Sequence, residues 1–116
     1  MKIDLDDVTL FYRIEGSGDP ALVMHGGLGA DHTPFVNSGF NKLSRRLELV
    51  YYDHRCNGRS SFPGIETLTH NNLAADAENL RVALGHKNLT VIGHSYGGIT
   101  ALEYALRYPE NLRRLI

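Results

Sequence analysis

The sequence predicts an open α/β fold built on a mostly parallel sheet, with an antiparallel hairpin at its start. Two observations carry this prediction. Short, continuous apolar runs typical of strands buried on both faces recur along the chain, and stretches with helical spacing of apolar residues lie between them. Such an alternation implies right-handed crossovers and helices on both faces of the sheet. Ligands bind to sheets of this kind at the carboxyl ends of the strands.

Composition indicates one globular domain spanning residues 1–116, with 42% hydrophobic residues to build a single core. A net charge of −1 disfavours nucleic acid and membrane partners and leaves a small-molecule ligand open. The lone Cys56 cannot form an internal disulfide, and the amino terminus lacks the basic-then-apolar pattern of a signal peptide. No apolar run reaches the roughly 18–20 residues that cross a bilayer. We therefore expect a cytoplasmic protein.

The strand predictions follow the chain in order. Residues 3–5 and Val8–Glu15 show rough two-residue alternation, which predicts a hairpin of edge strands. Three continuous apolar runs predict buried parallel strands; they are residues 21–24, Leu47–Tyr52 and residues 89–92.

Three helices are predicted between and after these strands. Apolar residues recur every three or four positions within residues 36–47 and again within residues 73–84. The second of these helices ends at Gly85, which suits a C-terminal cap. A third follows Ser95, carries small residues at intervals of four, and ends before Pro109. A further strand is expected to begin near the end of the chain.

Three loops fall at the carboxyl edge of the predicted sheet, and the last matches the pattern Gly-x-Ser-x-Gly. In that pattern a strained strand-to-helix turn exposes the serine hydroxyl. Glycine is expected at positions 93 and 97 for a steric reason. The two residues approach each other at so tight a corner that a β-carbon on either would collide with the other. We interpret Ser95 as a candidate nucleophile; the alternative is a glycine-rich turn with a solvated serine. The three loops are HGGLG at 25–29, DHRCNGRS at 53–60 and GHSYG at 93–97.

These loops, in this order, resemble those of the α/β-hydrolase fold family. Ser95 matches the family's nucleophile, residues 25–27 are similar to its oxyanion loop, and residues 51–60 are similar to its Asp-x-Arg-Gly-x-Gly-x-Ser loop. Within the family, the first two loops are most similar to those of prolyl iminopeptidase-like members and related esterases. Leu28 stands where the peptidases usually have proline, and Cys56 stands where the family has glycine.

The resemblance implies acyl transfer from an ester or an amide, the latter including an N-terminal proline peptide bond. Ser95 would attack the carbonyl carbon, and the backbone N–H groups of Tyr96 and Gly27 would bind the developing oxyanion, with Leu28 as an alternative donor. No cofactor or metal is expected, because the sequence has neither zinc-type Cys/His spacing nor a phosphate-binding glycine loop followed by Lys.

The family places its catalytic acid and histidine after the serine, and no histidine follows Ser95 in this chain. We expect His25 and His54 to shape their loops and His94 to point away from the serine. The acid and the base are therefore not expected in this chain. The six histidines are His25, His32, His54, His70, His86 and His94.

These considerations predict that residues 1–116 form the amino-terminal part of a hydrolase domain truncated after the nucleophile helix, without the lid and the C-terminal half. This chain alone is expected to be inactive. Its exposed sheet edge is expected to pair with the missing half or with a second copy. The alternative function is a non-catalytic small-molecule binding module of the same fold, or an inactive fragment.

Other polar residues receive structural interpretations. Asp53 and Arg55 are expected to fix the turn after their strand, because an Asp side chain accepts backbone N–H bonds there. Asp76 and Glu78 are expected on a solvated helix face. Asp31 and His32 are candidates for contact with substrate, and the default expectation is that they are polar groups of the loop.

Overall fold

The first 15 residues form the expected hairpin. In the computed structural model, which describes residues 1–116, β1 (Lys2–Leu5) pairs antiparallel with β2 (Val8–Glu15). The two strands turn at Asp6–Asp7, and only one face of each is buried. Their alternating pattern reflects this one-sided burial.

The continuous apolar runs form the parallel part of the sheet, as predicted. The strand order is β1-β2-β4-β3-β5-β6, and every pairing from β4 to β6 is parallel. Because β3 lies between β4 and β5, the loops that follow these three strands meet at one edge. The strands are β3 (Asp19–Met24), β4 (Leu47–Tyr52), β5 (Leu89–Gly93) and β6 (Leu112–Leu115).

The single helix predicted over residues 36–47 is wrong. A four-residue helix, α1 (Thr33–Val36), is followed by a 3₁₀ segment over Gly39–Arg45. Ser38 separates them in an extended conformation, and its hydroxyl accepts a hydrogen bond from the N–H of Phe40. Phe35, Val36 and Phe40 still pack on the sheet, whereas Leu43 is exposed. The helical spacing therefore reflects burial of part of this segment rather than a continuous helix.

The next helix, α2 (His70–Ala83), is capped at both ends, and its C-terminal cap at Gly85 was predicted. The Thr69 side chain accepts a hydrogen bond from Asn72 N–H at its start. At its end Gly85 has φ 76°, and the N–H groups of Gly85 and His86 close onto the carbonyls of Val82 and Arg81. The cap at Gly85 is therefore confirmed, and α3 (Tyr96–Arg107) likewise ends before Pro109.

Helices cover both faces of the sheet, as expected for this class. On one face, alternate strand residues pack with α2 and α3, and the buried set includes Leu22, Met24, Val50, Tyr52, Val91, Leu80, Ala101 and Tyr104. On the other face, α1 and the 3₁₀ segment cover a smaller group formed by Ala21, Val23, Leu49, Tyr51 and Ile92. None of the helices has the length and apolar character needed to cross a bilayer.

The prediction that Asp76 lies on a solvated face is wrong. Asp76 is only 2% exposed and forms two hydrogen bonds with Arg55, both 2.7 Å long. It follows Leu73 by three positions and precedes Ala77 by one, so it lies within the apolar stripe of α2 rather than opposite to it.

Glu78 is also not simply solvated. It is partly buried, and its carboxylate accepts hydrogen bonds from Arg81, from the Tyr104 hydroxyl at 2.8 Å and from the Asn111 amide at 2.8 Å. These bonds tie α2 to α3 and to the turn before β6, so the side chain contributes to helix packing.

Candidate active site

The corner at Ser95 is strained and exposed. Ser95 has φ 55° and ψ −123°, a region that residues with a side chain rarely occupy, and α3 begins at the next residue. A β-carbon at Gly93 would lie 2.6 Å from the carbonyl oxygen of Gly97. A β-carbon at Gly97 would lie 2.0 Å from the carbonyl oxygen of Met24 in β3. The predicted steric need for both glycines is confirmed.

The loop after β3 lies directly against Ser95. A β-carbon at Gly26 would lie 2.8 Å from the Ser95 β-carbon and 3.0 Å from the His94 carbonyl oxygen. Sequence reasoning took Gly26 only as part of a motif, and the close approach explains why this position carries no side chain. Residues 25–29 and the serine corner therefore form one continuous surface.

Several backbone N–H groups at this surface have no acceptor within the protein, including those of Gly26 and Ser95. The three predicted oxyanion donors, the N–H groups of Gly27, Leu28 and Tyr96, are among them, whereas the N–H of Gly97 bonds to the His94 carbonyl at 2.9 Å. The N–H of Tyr96 is free because the first amides of a helix have no intrahelical acceptor. Each of the three residues is at least partly exposed, so these donors are accessible to a bound ligand.

Two cavities border Ser95. The smaller, of about 180 Å³, is lined by Gly26, Gly27, Ala30, Asp31, Pro34, Phe35, His94 and Ser95. The larger, of about 400 Å³, is mostly apolar and is lined by Gly93, Ser95, Gly98, Ile99, Ala101, Leu102, Leu115 and Ile116. The serine thus lies between a recess on the β3 side and a groove on the β6 side, and both are lined mostly by apolar surface.

His94 does not point away from this region, contrary to the prediction from strand alternation. It lines the smaller cavity together with Ser95, and its ring packs edge-on against Phe35 with centroids 5.6 Å apart. Alternation fails here because β5 ends at Gly93 and the chain turns into α3. No hydrogen bond joins the His94 ring to the Ser95 hydroxyl.

His25 and His54 shape the loops, as predicted. His25 Nε2 accepts the N–H of His54 at 3.1 Å, so its Nδ1 carries the proton that bonds to the Gly26 carbonyl at 2.9 Å. Both ring nitrogens of His25 are therefore occupied. Burial, with a smaller effect of the His25 ring, lowers the pKa of His54 from 6.5 to about 3. Neither imidazole is available to Ser95.

Asp53 holds the loops together from beneath, which confirms its predicted turn-fixing role. One carboxylate oxygen accepts the backbone N–H of His32 at 3.0 Å and lies 2.7 Å from His32 Nδ1. The other accepts the N–H of Arg59 at 2.9 Å. Burial acts to raise the pKa of Asp53, but these hydrogen bonds outweigh it, so the pKa lies below its usual value.

The remaining predicted residues are also placed. His32 is buried and stacks on Phe11, with ring centroids 5.4 Å apart, in line with its expected structural role. His70 lies beside Tyr96, with ring centroids 6.0 Å apart, and His86 pairs with Glu48 on the surface of the fold. Asp31, expected to be a simple loop group, is instead one wall of the smaller cavity.

The arrangement brings together a hydroxyl on a strained corner and backbone donors that face solvent, but no base. None of the six histidines hydrogen-bonds to Ser95. Within residues 1–116, Ser95 therefore lies beside unpaired backbone N–H groups and has no hydrogen-bonded imidazole.

Comparison with known proteins agrees with this geometry. The sequence profile of the alpha/beta hydrolase fold family matches residues 20–116. A proline iminopeptidase of Xylella fastidiosa is 37% identical over 96% of this chain and 36% of its own length. A protein named as a carbamate hydrolase in Azorhizobium caulinodans is 35% identical over 94% of this chain and 40% of its own length.

Solved structures give the same result. An epoxide hydrolase from Bacillus megaterium superimposes with a TM-score of 0.88 at 27% identity, over 99% of this chain and 40% of that one. An esterase from a marine microorganism superimposes with a TM-score of 0.82 at 26% identity, over 91% of this chain and 40% of that one. This chain spans about two fifths of the length of the relatives it matches.

Proposed function

This chain belongs to the alpha/beta hydrolase fold family, and on that premise we propose that it carries the nucleophile of a serine hydrolase acting on ester or amide bonds. The observation that supports the proposal most strongly is the corner at Ser95. Its backbone is held at φ 55° by glycine contacts that admit no side chain, and its hydroxyl is exposed beside N–H groups without acceptors. Strain of this kind costs about 1–3 kcal/mol and is concentrated at functional sites.

In the proposed reaction, the Ser95 oxygen attacks the carbonyl carbon and the carbonyl electron pair moves onto oxygen. The N–H groups of Tyr96 and Gly27 donate to that oxyanion, with the N–H of Leu28 as the alternative second donor. The serine proton passes to a base and then to the leaving alcohol or amine as its bond to carbon breaks. Water hydrolyses the acyl-serine by the same steps. Loss of one oxyanion donor typically lowers the rate by about 10²–10³.

We propose that the acid and the histidine base lie in polypeptide outside residues 1–116. The histidines of this chain are engaged elsewhere or make no bond to Ser95, and the matched relatives are more than twice as long as the region that they share with it. The 116-residue chain alone is then expected to show no serine-dependent ester hydrolysis. The reaction needs a general base, because a serine hydroxyl is a weak nucleophile at neutral pH.

The same proposal assigns a partner to the apolar surface of α3 and β6. Leu102 and Leu106 on the outer side of α3 are 58% and 79% exposed, and Leu115 and Ile116 are exposed beside them. One edge of β6 has no neighbouring strand. The complementary part of the hydrolase domain is proposed to cover this surface, and self-association is the alternative. Size-exclusion chromatography of the 116-residue chain distinguishes a monomer from a self-associated species.

The substrate is proposed to be an ester or an amide, with an N-terminal proline peptide as one candidate because the matched relatives include several proline iminopeptidases. We also propose a cytoplasmic location. Disulfides are typical of secreted proteins, and the single Cys56 forms no internal disulfide.

A serine-directed phosphonate tests the nucleophile. The protein expressed from its whole gene is treated with the probe, and the modified peptide is identified by mass spectrometry. The expected result is one adduct on Ser95 and none in Ser95→Ala. Labelling elsewhere, or no labelling of a correctly folded protein, contradicts the proposal and favours a non-catalytic binding module. Measurable turnover by residues 1–116 alone, lost in Ser95→Ala, contradicts the placement of the base.

A further inference from the structure

The loop that carries two of the candidate oxyanion donors has little packing of its own. Residues 27–30 are all exposed, and the glycines at positions 27 and 29 have φ of 65° and 91°. A β-carbon at Gly29 would meet no atom within 4 Å. No proline restricts the backbone of this stretch. Its N–H groups therefore need a restraint from elsewhere in the protein to keep one direction.

Asn57 supplies the one hydrogen bond that residues 27–30 make within the protein. The backbone N–H of Gly29 donates to Asn57 Oδ1, and no other group of these four residues is hydrogen-bonded. Gly29 follows directly after Leu28 and lies two positions after Gly27, the two residues whose N–H groups are the candidate donors of this loop. The bond therefore holds the backbone next to both donors.

The Asn57 amide is itself fixed in one orientation. It is only 3% exposed, and its Nδ2 donates to the carbonyl oxygen of Arg55 at 2.7 Å. Because Oδ1 faces a donor and Nδ2 faces an acceptor, exchanging the two atoms would break both bonds. Arg55 is held in turn by its two 2.7 Å hydrogen bonds to Asp76. The buried network of the β4 loop thus presents a fixed acceptor to Gly29.

Both ends of the loop are fixed independently of Asn57. At its start, a β-carbon at Gly26 would lie 2.8 Å from the Ser95 β-carbon, and Gly27 lines the cavity beside the serine. At its end, the N–H of His32 donates to Asp53 at 3.0 Å. Loss of the Asn57 bond would therefore free the middle of the loop without detaching it. A displacement of about 1 Å at a reacting centre costs about 10²-fold in rate.

We propose that Asn57 is a positioning residue of the oxyanion site: by binding the N–H of Gly29, it holds the N–H groups of Gly27 and Leu28 where the substrate oxyanion forms. This inference rests on the proposed role of Ser95 as nucleophile. Asn57 lines neither cavity at the serine, so it acts through the loop and takes no part in proton transfer.

Steady-state kinetics of protein expressed from the whole gene test this role. With p-nitrophenyl acetate, Asn57→Ala is expected to lower kcat about 10–100-fold and to leave KM within about twofold, because the oxyanion forms only after the ester has bound. The affinity for an alkyl trifluoromethyl ketone, whose oxygen becomes an oxyanion when the serine adds to its carbonyl carbon, is expected to fall by a similar factor.

Asn72→Ala is the matched control. It also removes a hydrogen bond from a side-chain amide to a backbone carbonyl, that of Thr67 at 2.8 Å, but in the segment before α2. Its kcat is expected to change by less than about twofold. An equal loss of kcat in the two variants, or a kcat in Asn57→Ala that stays within about twofold of the unsubstituted protein, overturns the positioning role.

Backbone ¹⁵N relaxation tests the restraint without catalysis. In protein from the whole gene with Ser95→Ala, the order parameter of the Gly29 amide is expected to fall from about 0.85 to below about 0.6 when Asn57→Ala is added. Addition of Asn72→Ala is expected to leave it unchanged. An unchanged order parameter in Asn57→Ala overturns the inference. A lowered one, in a protein whose Ser95 forms no ketone adduct, supports the hold of Asn57 on the loop and contradicts only the nucleophile proposal.

Discussion

Ser95 and Cys56 share a positive φ but lie in different surroundings. They are the only residues other than glycine with positive φ, at 55° and 62°. Cys56 lies in the loop after β4, where neighbouring residues are buried and hydrogen-bonded; its N–H bonds to the Ser61 carbonyl at 3.0 Å. Ser95 is exposed, and its neighbours Gly93 and Gly97 are there because nothing larger fits.

The difference shows how similar local strain can serve architecture or a proposed chemistry. In the β4 loop, the positive φ of Cys56 accompanies a hydrogen-bonded network that joins Arg55 to Asp76 and Asp7. At the serine corner, polar groups are left unpaired and face a cavity. The presence of free donors, rather than the strain itself, marks the corner as a candidate site.

The largest effect is expected from breaking the β4 network. Arg55→Met leaves Asp76 buried without a counter-charge, and we expect the free energy of unfolding to fall by about 3–5 kcal/mol. Urea denaturation measures the change. Arg59→Met is the control in the same loop; it removes an exposed guanidinium and is expected to cost less than about 1 kcal/mol. Equal losses in the two variants would show that the ion pair is not what holds the loop.

The next effect concerns the packing of the serine corner. Gly97→Ala places a methyl group against the Met24 carbonyl, which is backbone and cannot move aside, and we expect a loss of about 3 kcal/mol. Gly98→Ala is the matched control one residue later in α3, where the nearest atom is 3.9 Å away. It is expected to be neutral or to stabilise by up to about 1 kcal/mol through helix propensity. Thermal unfolding of both variants decides whether the corner is sterically closed.

A pH series tests whether the loop histidines are held neutral. His54 has a pKa of about 3 when folded and about 6.5 when unfolded, so unfolding takes up a proton between these values. The free energy of unfolding is therefore expected to fall as the pH drops from 6.5 toward 3, by about 1.4 kcal/mol per pH unit for this group. Burial also lowers the pKa of His25, which adds to the slope in the same direction.

The variant His54→Gln isolates that contribution. Whatever its stability at neutral pH, its slope between pH 6 and pH 4 is expected to be smaller by about 1.4 kcal/mol per pH unit. An unchanged slope in urea denaturation across this range would mean that His54 titrates normally in the folded protein.

The smallest change in stability is expected when either residue with a positive φ, Cys56 or Ser95, is replaced by glycine. Cys56→Gly and Ser95→Gly each relieve a positive φ, and both are expected to stabilise the protein by about 0.5–1 kcal/mol after the entropy of glycine is counted. Only Ser95→Gly is expected to lose phosphonate labelling. A labelling loss in Cys56→Gly of similar size would contradict the separation of the two loops into architecture and site.

The strands, α2, α3 and the three loops could be predicted from the sequence because their signals are local. Two-residue alternation, continuous apolar runs and the Gly85 cap each depend on neighbours within a few positions. The helix over residues 36–47 could not be predicted correctly in this way. Val36 and Phe40 pack on the sheet, but the extended conformation of Ser38 divides the segment into two short turns, and Leu47 already belongs to β4.

The polar residues were the least predictable. Asp76 was misplaced because its partner Arg55 lies 21 positions away, and only the packing of α2 against the sheet brings the two together. Asp31 and His94 reach the cavity because β3 and β5 are adjacent strands, although 69 residues separate Gly26 from Ser95 along the chain.

By itself, the sequence determined that residue 95 occupies a cramped strand-to-helix turn, because the glycines that permit the turn are two positions away on either side. It also determined the layered fold, since periodicity specifies which face of each element is apolar. Only the tertiary structure decided which buried charges are paired, which N–H groups remain free, and that the loop after β3 lies against the serine. Those properties depend on contacts between distant segments, and a local pattern carries no information about them.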